Sequence, residues 1–383
     1  MYLSLVVHIG EGSFERVFRS AYSFVVNKDT PEEDHVVRTL YISANDRDLL
    51  ELNQTTISRI FENRGTDIRQ ELFKHDDGVR LLIGLKEIDL EIINQMESDY
   101  IDWDAYFTDS RGVELGKRGL VIRCRECGKW QPAPDNFPRR PVQQIRCHSC
   151  DEVFTSSDDL SKTIVGDTRV NRNYKKILFG EDVNRYYTTQ NKYIDTSYDG
   201  VNYKNASLYT GTKLLVRKTS VGVYASLDID GCLTNQVTFI FKGKPELPDD
   251  CRPISLAYVL AIISSRLMQY YHAAVNLERE WRSFPYITQR IIKSFPIRNP
   301  ESLGQRGWET HDRLTDIVLN VTEQRGQISS SQDLEIEELV REVYGVTDEQ
   351  GIRVDQFMTE EMQRLRIVRE LYDVTPDSLF RSE

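Results

Sequence analysis

Two cysteine pairs constrain this chain more than any other feature. Cys124-Arg-Glu-Cys127-Gly and Cys147-His-Ser-Cys150-Asp are C-x2-C motifs with 19 residues between them, within the C-x2-C-x15–20-C-x2-C spacing of zinc sites. Two intervening residues let a tight knuckle aim both sulfurs at one ion, and two knuckles close a tetrahedron with bonds of about 2.3 Å. Gly128 follows the first pair, where a knuckle calls for a positive φ. Four thiolates leave no open position, so the predicted ion is a structural zinc held by Cys124, Cys127, Cys147 and Cys150, with His148 a bystander. A pair of disulfides, free thiols or an iron–sulfur cluster are the alternatives. The lack of a secretory leader and of a third ligand pair argues against them. Cys232 and Cys251 stand alone and read as ordinary buried residues. A zinc ribbon can grip DNA, grip protein, or staple a loop that could not build its own core.

Charge placement narrows these options. The 383 residues carry a net charge of −11, which argues at first against nucleic acid. Yet residues 111–220 hold 20 Lys+Arg against 12 Asp+Glu, a net of +8. Residues 301–383 hold 9 Arg, no Lys and 19 Asp+Glu, a net of −10. A basic middle between acidic flanks suits a polyanion-binding module on an acidic scaffold. Chance asymmetry on a solvated surface is the alternative. The longest apolar stretch, Leu256 to Met268, is broken by Ser264, Ser265 and Arg266 and is too short for a bilayer of about 30 Å. No membrane association is expected. With no basic and apolar leader at the start, the expected location is cytoplasmic.

The periodicity predicts a mixed α+β chain. Leu3–Ile9, Ala21–Val26 and Val36–Ile42 read as strands, with a turn over Gly10–Ser13 and a possible helical turn over Phe14–Phe18. Apolar spacing from Asp46 to Phe73 predicts helices, and Leu85–Met96 another. In the middle, Lys213–Lys218, Val221–Leu227 and Val237–Phe241 are the clearest strands. Residues 255–275 predict one amphipathic helix with Leu256, Val259, Leu260, Ile263, Leu267, Tyr270 and Tyr271 on a stripe. Glu335–Tyr344 and Glu360–Tyr372 predict helices in the acidic end. The tyrosines at 186, 187, 193, 198 and 203 suit strand packing better than stacking on bases. Trp281 and Phe284 read as core or interface anchors.

Several chemistries lack their residues. An amino-directed DNA methyltransferase needs an Asx-Pro-Pro-aromatic loop to receive the flipped base, and the chain contains no Pro-Pro dipeptide. Gly10-Glu11-Gly12 is a lone GxG. There is no Walker loop, no H-E-x-x-H and no G-x-S-x-G.

Other residues carry a resemblance. Leu214-Leu-Val-Arg-Lys-Thr219, Ala225-Ser-Leu-Asp228 and Thr234 resemble the TaqI-like specificity (target-recognition) domain of adenine-N6 DNA methyltransferases. So do Ala257-Tyr-Val-Leu-Ala-Ile-Ile-Ser-Ser-Arg-Leu-Met268 with Tyr270-Tyr271, and the exits Phe284-Pro285 and Phe295-Pro296-Ile297. Arg111-Gly-Val-Glu-Leu-Gly-Lys-Arg-Gly119 and the ribbon resemble the opening of that domain in fused, type IIG-like restriction–methylation enzymes. Phe179-Gly-Glu-Asp-Val-Asn-Arg-Tyr186 resembles their Gly-x-Asp-Ile-x-Arg-Tyr element. Val6–Glu15 and Ala21–Val26 look like the last strands of a methyltransferase catalytic domain, and Leu339-Val340 with Val343–Thr347 like the helical end of such proteins.

The resemblance implies residues 1–100 as a methyltransferase-like remnant and 101–300 as a target-recognition domain with a zinc ribbon at 120–155. It implies residues 301–383 as an acidic helical tail for partner contact. The methyl-donor and Pro-Pro loops would lie before residue 1. The implied system is therefore split: a non-catalytic specificity subunit binds duplex DNA, and a catalytic methyltransferase subunit carries S-adenosylmethionine. Restriction–modification or antiviral defence is its setting.

Candidate DNA contacts are Arg111, Lys117, Arg118, Arg123, Arg125, Arg139, Arg140, Arg146, Arg169, Asn171, Arg172, Asn173, Lys175, Lys176, Arg185, Arg217 and Lys218. The expected base readers among them are Arg169, Asn171, Arg172, Asn173 and Arg217, with Tyr174 beside them. The competing readings are an assembly scaffold whose ribbon binds protein, and a self-sufficient methyltransferase or nuclease with degenerate motifs.

Overall fold

The apolar run at the start becomes β1 (Tyr2–Gly10), which is flanked by β2 (Ala21–Asn27) and β3 (Val36–Tyr41). With β4 (Thr66–Arg69) they form a sheet in the order β2-β1-β3-β4, in which only β1 and β3 run parallel. Val7, Leu40, Ile42 and Ile60 form its core. β2 is an edge strand that exposes Tyr22, Phe24, Val25 and Val26. The structure is a computed structural model that describes residues 2–10, 21–32, 34–75, 78–116, 118–137, 139–220, 222–248, 251–276 and 286–364. The readings at 11–18, Lys117, Trp281 and Phe284 lie outside the described residues, as does the predicted helix 360–372 beyond residue 364.

The predicted helical run 46–73 is shorter than its periodicity suggests. α1 (Ala44–Glu51) starts at Ser43, which forms a capping box with Asp46, and α2 (Ile57–Arg64) starts at Thr56. Gly65 then turns extended, and the next four residues complete the sheet as β4. Gln70–Phe73 is a 3-10 turn. Ile68 and Phe73 keep their burial, but a strand and a tight turn supply it. A short hairpin, β5 (Lys74–His75) with β6 (Gly78–Val79), precedes α3 (Glu87–Met96).

The middle of the chain is built from short strands. α4 (Trp103–Tyr106) leads into β7 (Phe107–Arg111). β8 (Leu120–Arg123), β9 (Trp130–Pro132) and β12 (Ser161–Thr163) make one sheet, and β10 (Gln144–Arg146) pairs with β11 (Val153–Thr155). β13 (Val165–Gly166), β14 (Tyr174–Leu178), β15 (Lys192–Asp195) and β18 (Leu233–Thr234) form a third group in the order β13-β15-β14-β18. A fourth runs β17-β16-β19-β7, with β16 Lys213–Arg217, β17 Ala225–Asp228 and β19 Thr238–Gly243. Val113, Val121, Ile164, Ile177, Ile194, Leu215 and Ile240 belong to one continuous core, onto which Tyr198 and Tyr203 pack. A fully buried ion pair, Lys213 with Asp228, ties β16 to β17.

The helical part departs from the single helix predicted over 255–275. Residues 255–275 form two helices, α5 (Leu256–Ser264) and α6 (Arg266–Val275), broken at Ser265. The Ser265 hydroxyl donates to the Ile262 carbonyl and accepts from the Met268 amide, which satisfies the backbone across the break. From Ala257 to Ser264 every residue of α5 is buried, so it is a core helix rather than an amphipathic one. α7 (Gln289–Lys293), α8 (Gly304–Glu323), α9 (Ser330–Tyr344) and α10 (Asp348–Arg364) follow. No helix among the described residues is long and apolar enough to cross a membrane.

The chain gathers into two compact units. The first is drawn from residues 1–100, 270–283 and 341–376, the second from 101–269, 284–340 and 377–383, in so far as these are described. Inside the first, Asp89 of α3 is buried and receives two hydrogen bonds of 2.8 Å from Arg353 of α10 and one of 3.0 Å from the Tyr270 hydroxyl.

Inside the second, α8 packs on α5, and His311 Nε2 accepts the Ser255 amide at 3.0 Å. Burial holds the His311 ring below its ordinary pKa, against the pull of Asp312. The folded state therefore favours the neutral ring. Its contribution is present above the unfolded value of about 6.5 and declines as pH falls below it. Thermal melts across roughly pH 5 to 7 should show that decline, and His311→Asn should flatten it.

Candidate nucleic-acid interface and metal centre

The two cysteine motifs sit at equivalent places, each in the bend between paired strands: β8 with β9, and β10 with β11. The turns are alike atom for atom. The Cys124 amide donates to the Lys129 carbonyl and the Gly128 amide to the Cys124 carbonyl. In the second, the Cys147 amide donates to Glu152 and the Asp151 amide to Cys147. Gly128 (φ 75°) and Asp151 (φ 61°) occupy the same left-handed position. The residue before each first cysteine braces its own turn: Arg123 Nε donates to the Gly128 carbonyl at 3.0 Å and Arg146 Nη1 to the Asp151 carbonyl at 3.3 Å. Phe137, Ile145 and Phe154 pack beside Cys124 and Cys147 in a small core.

The four sulfurs lie within 4.8 Å of one another. Cys124 Sγ is 3.8 Å from Cys150 Sγ, and Cys127 Sγ is 3.6 Å from Cys147 Sγ. A disulfide needs about 2.05 Å, so these are four thiols. A tetrahedron with bonds of about 2.3 Å has edges of about 3.8 Å, so the four donors fit one metal ion, and their chemistry suits zinc. Burial works against the Cys147 thiolate, but amide donors at Ser149 and Cys150 outweigh it and hold the thiol at about 7. One residue escaped the sequence reading. Gln131 is buried in β9; its Nε2 donates to the Arg146 carbonyl at 3.1 Å and its Oε1 accepts the His148 amide at 2.8 Å, which joins the first hairpin to the second knuckle. A lone glutamine in a short strand gives no periodic signal for that role.

The candidate contacts divide by exposure. Arg169, Asn171, Arg172 and Asn173 are exposed on the loop between β13 and β14, together with Val170. Asn171 Oδ1 accepts the Asn173 amide at 2.8 Å, and the Asn173 carbonyl accepts both the Thr196 amide and its hydroxyl, so a turn and an anchor set this loop. Tyr174 is half-buried at the start of β14, with Lys175 and Lys176 exposed beyond it, and Lys176 pairs with Asp230 at 3.3 Å. Arg111 is exposed over the Phe239 ring. Arg118 and Arg139 come together on one cleft, and Arg140 is exposed beside Arg139. Arg125 binds Ser157 Oγ. Arg217 and Lys218 are half-buried, Arg217 lying over Tyr224. Of the isolated cysteines, Cys232 is buried as expected and Cys251 only half-buried.

Arg185 is the correction. It is 6% exposed, and its guanidinium pairs with Asp333 at 2.8 Å and Glu337 at 3.5 Å while Nε donates to the Ser264 carbonyl at 3.1 Å. Both Glu337 oxygens accept the Arg266 amide, which caps the start of α6. Tyr186 beside it is fully buried at φ 71°, its amide bound to the Ala225 carbonyl. Asp182 Oδ2 accepts the Phe179 amide at 2.7 Å. Apart from the exposed Glu181 and the half-buried Asn184, Phe179–Tyr186 is an internal clasp, and Arg185 has no face to offer a phosphate.

The strands β14 to β19 and helices α5 to α7 delimit a recognisable module. Residues 175–297 match the TaqI-like C-terminal specificity domain. The ribbon and the Arg169–Asn173 loop lie just ahead of the specificity-domain match. No curated protein matches the chain. Among solved structures, the type IIL restriction–modification enzyme MmeI in complex with DNA is similar at 10% identity and TM-score 0.34, covering 68% of this chain and 36% of that one. A chain from a type I restriction–modification system is similar at 10% identity and TM-score 0.24, covering 67% and 52%. This chain thus spans between a third and about a half of the length of those it resembles.

Proposed function

We propose that this chain is the DNA sequence-recognition subunit of a restriction–modification system that modifies adenine at N6. Its second unit holds duplex DNA, and another polypeptide carries S-adenosylmethionine and performs the methyl transfer. The observation that carries this reading is the specificity-domain match over residues 175–297. The exposed cationic and amide side chains of the adjoining loop support it. Zinc in the four-cysteine site would fix the basic ribbon as one rigid part of that surface.

Phosphate contacts position such a module, and base-edge contacts give it sequence. Arg172 and Arg169 have the forked donors that match guanine, and Asn171 and Asn173 the pair that matches adenine. The exposed apolar edge strand β2 supports a protein contact in the first unit. The acidic 301–383 segment is assigned to that partner rather than to DNA.

The test is binding of the purified chain, alone and with its co-purified partner, to duplexes of varied sequence at several salt concentrations. Salt-dependent binding with a preferred sequence is expected. No binding under any condition would overturn the reading. Arg172→Gln should lose about 1–3 kcal/mol of discrimination at one base position while leaving binding to other duplexes nearly unchanged.

A further inference from the structure

Beside the ribbon, a cleft of about 730 Å³ opens between two stiff turns. Gly116, Arg118 and Leu120 line one wall, Ala133 to Asn136 and Arg139 the other. The first wall cannot shift easily. Gly119 (φ 61°) closes its turn with a hydrogen bond from its amide to the Gly116 carbonyl, and a side chain at 119 would strike Val165. The second wall is pinned at its centre by Phe137, buried in the ribbon core. Beyond it, the buried Ser156 hydroxyl donates to the Pro141 carbonyl at 2.7 Å and accepts the Gln143 amide at 3.0 Å. Asn136 accepts the amides of Arg139 and Arg140 at its carbonyl.

Among the described residues neither Arg118 nor Arg139 has an ion pair or side-chain hydrogen bond, although both line this one cleft and both are exposed. Elsewhere in the ribbon, Arg123 and Arg146 brace the knuckles and Arg125 holds Ser157, while Arg140 is exposed beside Arg139 without lining the cleft. Two idle guanidinium groups on fixed walls are a site prepared for an anion with several acceptor oxygens. The cleft is partly open to solvent, and Leu120, Ala133 and Pro134 make its walls partly apolar, which suits a phosphodiester backbone rather than a small enclosed ligand. Asp135 also lines it, and its carboxylate opposes an anion there.

We propose that this cleft is a sequence-independent clamp for the DNA backbone, with Arg118 and Arg139 on neighbouring phosphates and Asp135 tempering their grip. The proposal rests on the DNA-recognition reading and adds to it an anchor separate from the base-reading loop. The tempering makes physical sense in a protein that must leave wrong sites, since backbone affinity is shared by all sequences.

The test uses the full chain, with metal content confirmed for each variant, and measures binding of one preferred and one unrelated duplex against salt. For Arg118→Gln with Arg139→Gln, the slope of log affinity against log salt should fall by about 2, with a roughly tenfold loss on both duplexes alike. Asp135→Asn should tighten binding to both duplexes about threefold, a gain that misfolding cannot produce. Unchanged slopes in the double variant, or an unchanged affinity in Asp135→Asn, overturn the clamp while leaving the DNA reading intact. Loss confined to the preferred duplex would also overturn it, because it would make these residues base readers. If the unaltered chain binds neither duplex, the DNA reading itself has failed.

Discussion

Stripping the ion from the ribbon, with a chelator or through Cys124→Ser, is expected to unfold residues 120–155 and to abolish duplex binding. The hairpins around the two knuckles are three and four residues per strand, and the ribbon core is only a handful of side chains. Metal binding in such sites supplies about 10–16 kcal/mol of apparent folding free energy, far more than that core can offer. The measurement is twofold. Titration of the native protein with a mercurial should release about one zinc per four cysteines, and protease cleavage should then concentrate between Leu120 and Thr155. Because the ligands must be thiolates, acidification should release the ion as well. Four thiols that react immediately in the untreated protein, with no metal by mass spectrometry, would remove the basis for the site.

Replacing Arg185 with Met should cost on the order of 3–5 kcal/mol, because the buried Glu337 and the half-buried Asp333 would be left as carboxylates with no cation. For a unit of this size that corresponds to a fall of roughly 10 °C in Tm. The salt slope of DNA binding, measured below the new Tm, should not move. A slope lowered by about 1 with Tm unchanged would return Arg185 to the phosphate-contacting set. The triple replacement of Arg185, Asp333 and Glu337 by apolar residues should recover much of the stability, since a buried network often does no better than hydrophobic side chains of equal volume.

The two fates of arginine in this chain explain what its sequence could tell. The cysteine spacing announced a metal site because only one geometry brings four sulfurs to one ion, and the sulfurs do converge. The strands at 2–10, 21–27, 36–41, 213–217 and 238–243 were legible from apolar runs bounded by turns. Helix periodicity misled at 66–73, where Ile68 and Phe73 are buried by a strand and a 3-10 turn that share the spacing of a helix over so few residues. It misled again at Ser265, where one serine hydroxyl replaces backbone bonds that a continuous helix would make, and Glu337, more than seventy residues away, caps the helix that restarts at Arg266. Arg185 and Arg172 look alike in sequence. Burial separates them, and burial depends on partners at 264, 333 and 337 that no local window contains. The Arg118–Arg139 cleft was hidden for the same reason: twenty-one residues apart, the two meet only because the ribbon folds back on itself.

The Arg185 clasp also decides how this protein can be cut. A fragment trimmed to the matched boundary at residue 297 would keep the cation and discard both of its carboxylates, together with the α8 helix that covers α5. Such a fragment should be insoluble however complete its recognition surface. On the proposed DNA-recognition reading, exchanging target preference would therefore mean exchanging the outer loops alone, leaving the stretch from Arg185 through Glu337 to be inherited as one piece.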